Sequence, residues 1–527
     1  MSFPLLTATA ALPAIGAIAT AAVPAARRTA AKWLALLVSL ATLVLAIVVA
    51  VRFEPGGDRY QLTESHSWIS DFGVRYELGV DGIAVALIGL TALLIPFIIL
   101  AGWHDADPSP GSPDRVDSRW RPTQGFFALI LAVEAMVILS FEATDVFLFY
   151  VFFEAMLIPM YFLIGGFGDR AHEGGDKAAA TQRSYAAVKF LLYNLAGGLV
   201  MLAAVIGLYV VAGSFSLQEI AAARASGSLE MATTTERLLF LGFFFAFAVK
   251  APLWPLHTWL PNAMGESTAP VAVLITAVVD KVGTFAMLRF CLGLFPEASQ
   301  WATPVVLVLA LISIVYGALL AVGQRDIKRL VAYASISHFG FIVLGIFAMT
   351  SQGQSGATLY MVNHGISTAA LMLVAGFLIS RRGSRLIADY GGVQKVAPVL
   401  AGTFLIGGLA TLSLPGLAPF VSEFLVLVGT FARYPVVGII ATLGIVLAAL
   451  YVLVLYQRTM TGPVKPEVAT MPDLKVRELV VVAPLIALLI FLGVFPKPLT
   501  DIVNPAIQHT MSDVQKTDPQ PEVEAAK

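Results

Sequence analysis

Cysteine and charged side chains are scarce in this 527-residue chain. Cys291 is the only cysteine, so the chain alone supplies neither a disulfide nor the thiolates that hold an iron–sulfur cluster. The sequence contains no glycine-rich dinucleotide fingerprint and no phosphate loop, which argues against the common nucleotide sites. Charged residues make up 13% and hydrophobic residues 58% of the chain, whereas soluble domains have about a quarter and about half. This composition predicts an integral membrane protein.

Long apolar stretches follow one another along the chain. We count fourteen, each close to the roughly 20 residues that cross a bilayer as a helix, so the predicted fold is all-α. Most of the 33 lysine and arginine residues fall in alternate loops, as expected for loops on the cytoplasmic side. The alternation predicts that both termini face outward, and the expected location is a bacterial cell membrane.

Six ionisable residues interrupt these apolar stretches, and five of them form the predicted site. They are Glu154, Lys250, Lys281, His338 and Glu423, with His364 as a supporting member. Glu154 lies roughly 14 Å along its helix from the nearest polar boundary, and Lys250 roughly 18 Å. A charge at such a depth costs about 2.5–3.5 kcal/mol and usually marks an ion pathway. Their similar depth predicts a lateral row of proton-relay groups near the bilayer midplane.

Each of these residues has a plainer interpretation as a structural polar contact between helices. Asp280, next to Lys281, could form a satisfied local pair with it, and Glu134 in the fourth stretch is a further supporting candidate. Because intramembrane ionisable groups are by default functional, we favour the relay.

Prolines predict that two helices are discontinuous. Pro252 and Pro255 follow Lys250 in the seventh stretch, and Pro415 and Pro419 precede Glu423 in the twelfth. Interrupted helices in corresponding halves of a chain indicate a transporter site and inverted repeats, although prolines also kink membrane helices harmlessly. The predicted units are residues 1–123 (helices 1–3), 124–296 (helices 4–8, first repeat), 297–462 (helices 9–13, second repeat), 463–500 (helix 14) and 501–527 (polar flexible tail).

A buried lysine near a carboxylate has a protonation state that depends on their separation. Glu154 and Lys250 are therefore the predicted control pair, and protons driven from Lys250 would pass inward through Lys281 and His338. Histidine suits this task because its unperturbed pKa is about 6.5. Glu423 would be the exit or storage group.

The motifs around these residues resemble those of the antiporter-like membrane subunits of respiratory complex I, the proton-translocating NADH:quinone oxidoreductase. The resemblance covers nearly the whole chain. It rests on residues 145–154 (DVFLFYVFFE), 250–261 (KAPLWPLHTWLP), 333–340 (YASISHFG) and 363–365 (NHG).

The resemblance implies fourteen helices, two inverted five-helix repeats, and helices 7 and 12 broken. It also implies that Glu154 and Lys250 form an ion pair, that Lys281 and His338 relay the proton at the centre, and that Glu423 is the terminal residue. FMN, iron–sulfur clusters and quinone are expected in partner subunits, with no cofactor or metal in this chain and no nucleic acid partner. The lipid bilayer and the antiporter-like subunits L and N are the expected neighbours.

Glu423 separates the branches of this family. In subunits L and N and in multi-subunit cation/proton antiporters the twelfth-helix residue is typically lysine, so Glu423 resembles the M-type subunit, also called chain 4. The alternatives are an antiporter subunit driven by ion gradients, and a structural spacer that has lost conduction.

Overall fold

The protein is almost entirely helical in the computed structural model, which describes residues 3–107, 122–168 and 175–520. The first half contains α1 (Leu5–Ala22), α2 (Arg28–Arg52), α3 (Gly82–Ala101), α4 (Pro122–Glu142), α5 (Val146–Ala155), α6 (Leu157–Phe167), α7 (Gly175–Ala212), α8 (Leu217–Ala225), α9 (Thr233–Lys250), α10 (Leu260–Glu266), α11 (Ala269–Val273) and α12 (Asp280–Ala286). The second half contains α13 (Pro296–Val322), α14 (Ile327–Phe347), α15 (Ser351–Arg382), α16 (Pro398–Thr411), α17 (Ala418–Arg433), α18 (Pro435–Ala441), α19 (Leu443–Met460), α20 (Val476–Val494) and α21 (Lys497–Asp513).

Twelve helical stretches in the described part of the chain are long and apolar enough to cross a membrane. The sequence predicted fourteen spans, and the two outside these twelve are the spans predicted to be broken. The stretch Ala269–Leu292 is entirely buried, and α14 and α15 are almost so. Because these three stretches are buried on nearly every side, their polar residues lie inside the protein.

Both predicted breaks are present. The first separates α9 from α10 and contains Pro252 and Pro255, because proline cannot donate the backbone hydrogen bond that continues a helix. The second separates α16 from α17 and contains Pro415, while Pro419 lies in the first turn of α17. Lys250 therefore ends one half-helix, and Glu423 lies in the first turns of another.

Side chains bond to the backbone near these breaks. The indole of Trp259 donates to the carbonyl of Val249 at 2.9 Å. At the second break, the amide of Asn363 donates to the carbonyl of Ala418 at 3.0 Å and to the hydroxyl of Ser422 at 2.8 Å. Such bonds let irregular backbone persist inside a membrane protein.

The eighth predicted span carries wider turns that the sequence did not predict. Two π-helical segments, Leu274–Val279 and Met287–Leu292, flank α12. π-Helical turns occur often at functional sites, and α12 begins with Asp280 and Lys281. The fifth span likewise changes at Met156, where α5 ends and α6 begins.

An antiparallel hairpin departs from the all-α prediction. Strands β1 (Gln61–Ile69) and β2 (Val74–Val80) pair with Ser65 opposite Glu77. The turn between them ends at Gly73, whose φ of +67° is in the left-handed region that glycine tolerates. Glu64 of the hairpin accepts a hydrogen bond of 2.9 Å from the backbone amide of Leu6, which fastens the hairpin to the start of α1.

The C-terminal segment is helical where the sequence predicted a flexible tail from residue 501. Helix α21 packs on α3 and α15, and its end is fixed by Arg59, which donates to both carboxylate oxygens of Asp513 at 2.9 and 2.5 Å. A Cβ on Gly82 would lie 1.8 Å from the carbonyl oxygen of Ile502, so the glycine makes this close approach possible. Residues 521–527 of the predicted tail lie outside the described residues.

Candidate functional site

Lys281 and His364 are in direct contact at the centre of the protein. The Lys281 ammonium lies 2.7 Å from Nδ1 of His364, and both side chains are buried, at 0% and 1% exposure. The prediction placed His364 among the supporting residues. The structure places it between Lys281 and His338, whose ring centroid is 5.3 Å from that of His364.

His338 continues the contacts toward Glu423 through a tyrosine. Its Nδ1 lies 2.5 Å from the hydroxyl of Tyr360, and that hydroxyl donates to Oε2 of Glu423 at 3.4 Å. A tyrosine hydroxyl has one proton, so while Tyr360 donates to Glu423 it accepts from Nδ1 of His338. Nε2 of His338 is then an acceptor, and the hydroxyl of Tyr451 lies 3.4 Å from it.

Tyr360 and Tyr451 are functional candidates that the sequence analysis missed. Tyr360 precedes His364 by one helical turn on α15, a spacing that puts the two side chains on one face. That signal was available in the sequence. Tyr451 lies on α19 and meets His338 only through the packing of α13, α14 and α19.

Glu154 and Lys250 are close in the fold but do not form an ion pair. The Lys250 ammonium donates to the carbonyl of Phe153 at 2.7 Å and lies 3.7 Å from the centroid of the Phe153 ring. Both carboxylate oxygens of Glu154 are buried without a hydrogen-bond partner among the described residues. Within that part of the chain, no N···O distance of 4.0 Å or less joins the two side chains.

The Glu154 carboxylate lies against the bare backbone of α7. A Cβ on Gly198 would lie 2.0 Å from Oε1 and 2.4 Å from Oε2 of Glu154. Any larger residue would therefore displace the carboxylate, so Gly198 provides the space that it occupies.

The two remaining acids of the prediction, Glu134 and Asp280, are fully buried. Neither makes a hydrogen bond with any residue that the structure describes. Asp280 is also not within 4.0 Å of the Lys281 ammonium among those residues, so the local pair considered as an alternative is not formed. Glu142, at the end of α4, is a third fully buried acid of this kind and was not predicted.

The described residues contain no group of three or more His, Cys, Asp or Glu side chains that could hold a metal ion. The arrangement consists instead of single acids, bases and hydroxyls in succession. Such groups can accept and donate protons one after another, which is the chemistry of proton relays in pumps and transporters.

Comparison with known proteins decides the family. The family described as NADH:quinone oxidoreductase/Mrp antiporter, TM, matches residues 143–448. NADH-quinone oxidoreductase subunit M of Mycobacterium tuberculosis is 57% identical over 533 residues, which cover 97% of this chain and 95% of that protein. The chain belongs to the family of NADH-quinone oxidoreductase M subunits. Subunit M of Rhodobacter capsulatus, another member, is 37% identical over 93% of this chain and 92% of its own length.

Solved structures agree with this family. A chain of respiratory complex I from Thermus thermophilus superposes with a TM-score of 0.84 and 30% identity, covering 97% of this chain and 99% of that one. A chain of the Mrp complex from Dietzia superposes with a TM-score of 0.80 at 19% identity, covering 98% and 100%. At that lower identity the likeness concerns the fold alone. The resemblance to the antiporter-like subunits is thereby confirmed for the chain as a whole.

Proposed function

We propose that this chain is a proton-translocating membrane-arm subunit of NADH:quinone oxidoreductase and that its buried ionisable residues carry the protons. The observation that supports the proposal best is the series of contacts from Lys281 through His364, His338 and Tyr360 to Glu423. We call these five residues the central relay. Every member is at most 3% exposed, and such a series has no purpose in a merely structural spacer.

The central relay can move a proton by successive transfers. Protonated Lys281 donates to Nδ1 of His364, which then releases the proton on Nε2, an atom without a hydrogen-bond partner among the described residues. Nε2 of His338 accepts that proton, the two ring centroids being 5.3 Å apart. His338 donates from Nδ1 to Tyr360 as Tyr360 donates to Glu423, so one proton enters this pair of bonds as another reaches the carboxylate. Glu423 then stores or releases the proton.

Glu154 and Lys250 form the control pair of this proposal. When the ammonium lies next to the carboxylate, the opposite charge favours the protonated lysine, and when they separate that support is lost. The present arrangement corresponds to the separated condition, because Lys250 is bonded to Phe153 and Glu154 has no hydrogen-bond partner among the described residues.

The proposed setting of the subunit is a respiratory membrane complex. Electron transfer from NADH to quinone in partner subunits, which would hold FMN and iron–sulfur clusters, supplies the energy, and this chain performs no redox chemistry of its own. The neighbours are the antiporter-like subunits L and N in a bacterial plasma membrane, with both termini outside. The two inverted repeats, residues 124–296 and 297–462, together contain the pathway, with Glu154, Lys250 and Lys281 in the first repeat and His338, His364 and Glu423 in the second.

A subunit of a multi-subunit cation/proton antiporter is the second candidate, because the chain shares its fold with the Mrp complex. Glu423 favours the oxidoreductase. Its carboxylate ends the central relay at the position where the resemblance gives lysine for antiporter chains.

Purification of the tagged chain from gently solubilised membranes tests the assignment. The expected result is co-purification with flavin, iron–sulfur clusters and sister membrane subunits, together with NADH:quinone reductase activity. Recovery of a complex without flavin or iron–sulfur clusters that exchanges sodium or potassium for protons would overturn it in favour of the antiporter.

A further inference from the structure

Phe153 contacts Lys250 with two of its groups, the side-chain ring and the backbone carbonyl. The ammonium lies 3.7 Å from the ring centroid and donates to the backbone carbonyl at 2.7 Å. Phe153 is 1% exposed and immediately precedes Glu154 in α5. The lysine is therefore held by the neighbour of the carboxylate with which it would pair.

The ring of Phe339 likewise lies under the Lys281 ammonium. The Lys281 ammonium lies 4.1 Å from the centroid of the Phe339 ring, and Phe339 immediately follows His338 in α14. Its ring also contacts His364, with centroids 5.5 Å apart. Each intramembrane lysine of the pathway thus lies over a buried phenylalanine that adjoins a proton-carrying residue in sequence.

A phenyl ring attracts an ammonium through its quadrupole, and the attraction grows when water is excluded. The ring cannot accept a proton, and it offers nothing comparable to a neutral amine. It therefore provides a place where a protonated lysine can wait away from a carboxylate without passing its proton on.

We infer that Phe153 and Phe339 are positioning residues that hold Lys250 and Lys281 in their protonated form between transfers. The inference rests on the proposed function of the two lysines. For Lys250 the ring competes with Glu154, so the lysine alternates between a ring-bound and a carboxylate-bound position. For Lys281 the ring holds the ammonium against His364, the next proton carrier.

Two other buried phenylalanines serve as matched controls. Phe149 lies one turn before Phe153 on α5, and Phe347 lies two turns after Phe339 on α14. Both are 0% exposed and pack against other aromatic rings. Among the described residues, no lysine or arginine lies over either ring.

Fluorinated phenylalanines separate the charge effect from packing, because fluorine weakens the negative face of the ring with little change of shape. Mono-, di- and trifluorophenylalanine would be introduced singly at positions 153, 339, 149 and 347 in the intact complex. We expect NADH-driven proton pumping to fall stepwise with each fluorine at 153 and 339, by about threefold to tenfold for the trifluoro form. Pumping should stay flat across the series at 149 and 347.

A flat series at 153 and 339, or an equal decline at the control positions, would overturn the inference. Phe153→Leu and Phe339→Leu, which keep an apolar side chain but remove the ring, should be at least as impaired as the trifluoro forms, and wild-type pumping by them would contradict it too. Lys250→Ala in the same membranes distinguishes failure of the aromatic role from failure of the proposed pathway. Loss of pumping there with a flat fluorine series rejects the aromatic role alone, whereas normal pumping by Lys250→Ala rejects the proposed pathway itself.

Discussion

The two halves of the predicted pathway differ in how their polar groups meet. In the second half, Lys281, His364, His338, Tyr360 and Glu423 contact one another in succession. In the first half, Lys250 is bonded to Phe153, and the Glu154 carboxylate has no hydrogen-bond partner in the described part of the chain. Both halves nevertheless have a broken helix at the titratable residue.

The difference suggests a division of labour. In the central relay, hydrogen bonds join neighbouring groups except between His364 and His338, whose ring centroids are 5.3 Å apart while Nε2 of His364 has no hydrogen-bond partner among the described residues. A proton can therefore pass with only a small movement of the two rings. A separated acid and base can transfer or release one only when the backbone or side chains bring them together, which suits a gate. We therefore propose that the first half acts as a switch and that the second half, the central relay, conducts the proton. Mutations should then affect the two halves differently.

The largest effect is expected from loss of the switch. Glu154→Ala or Lys250→Ala should lower NADH-driven proton pumping by at least about tenfold, because a proton carrier contributes at least that much when its group is removed. Acidification of inverted membrane vesicles measures pumping, and subunit content measures assembly, which should be largely intact.

Lys189→Ala is the matched control for the lysine. Lys189 lies on α7 and bonds to the side chain of Asn262 outside the row, so this variant should pump normally. Wild-type pumping by assembled Glu154→Ala or Lys250→Ala would show that the first half is not a switch.

A smaller loss is expected when a single hydroxyl is removed from the central relay. Tyr360→Phe removes the hydroxyl between His338 and Glu423 and keeps the ring, so pumping should fall about fivefold while water partly replaces the missing hydroxyl. The same vesicle assay measures it. If Tyr360→Phe pumps as well as the wild type, protons do not pass through this hydroxyl.

Gly198→Ala tests the switch by geometry instead of charge. The added methyl would lie 2.0 Å from Oε1 of Glu154, so the carboxylate must move, and a displaced proton carrier should slow pumping. The loss should be smaller than that of Tyr360→Phe, because the acid itself is kept. Gly402→Ala on α16 is the control, because a Cβ there meets nothing within 4 Å. Equal rates for the two variants would show that the Glu154 position is not critical.

The smallest effect is expected at Tyr451, which contacts the central relay at His338. The hydroxyl of Tyr451 lies 3.4 Å from Nε2 of His338, which is long for a strong hydrogen bond. Tyr451→Phe should therefore lower pumping by less than about twofold. A loss as large as that of Tyr360→Phe would mean that the proton leaves His338 through Tyr451. The order of residues in the central relay would then need revision.

The sequence alone predicted the features that local chemistry fixes. Prolines beside Lys250 and before Glu423 predicted the two breaks, because proline removes a backbone donor wherever it stands. Buried charges in apolar helices were the basis for predicting the row, because a charge inside a bilayer is costly and usually marks a functional site. The fourteen-span count is consistent with the twelve stretches that are long and apolar enough to cross a membrane and the two that the prolines divide.

Features that depend on distant partners were not predicted. The hairpin at residues 61–80 is too short and polar to read as a span, and its strands are stabilised by contacts with α1 and α4. The π-helical turns around Lys281 and the packing of α21 have no local signature. The direct role suggested for His364 also emerged only from the packing of α12 against α15.

The central claim is that protons pass along the second half to Glu423, and one variant tests it most directly. Glu423→Gln keeps the size and hydrogen-bonding capacity of the side chain but cannot store or release a proton. In fully assembled complex, the account predicts at least about tenfold slower NADH-driven proton pumping by Glu423→Gln, with partial recovery in Glu423→Asp. Pumping at the wild-type rate by assembled Glu423→Gln would contradict it.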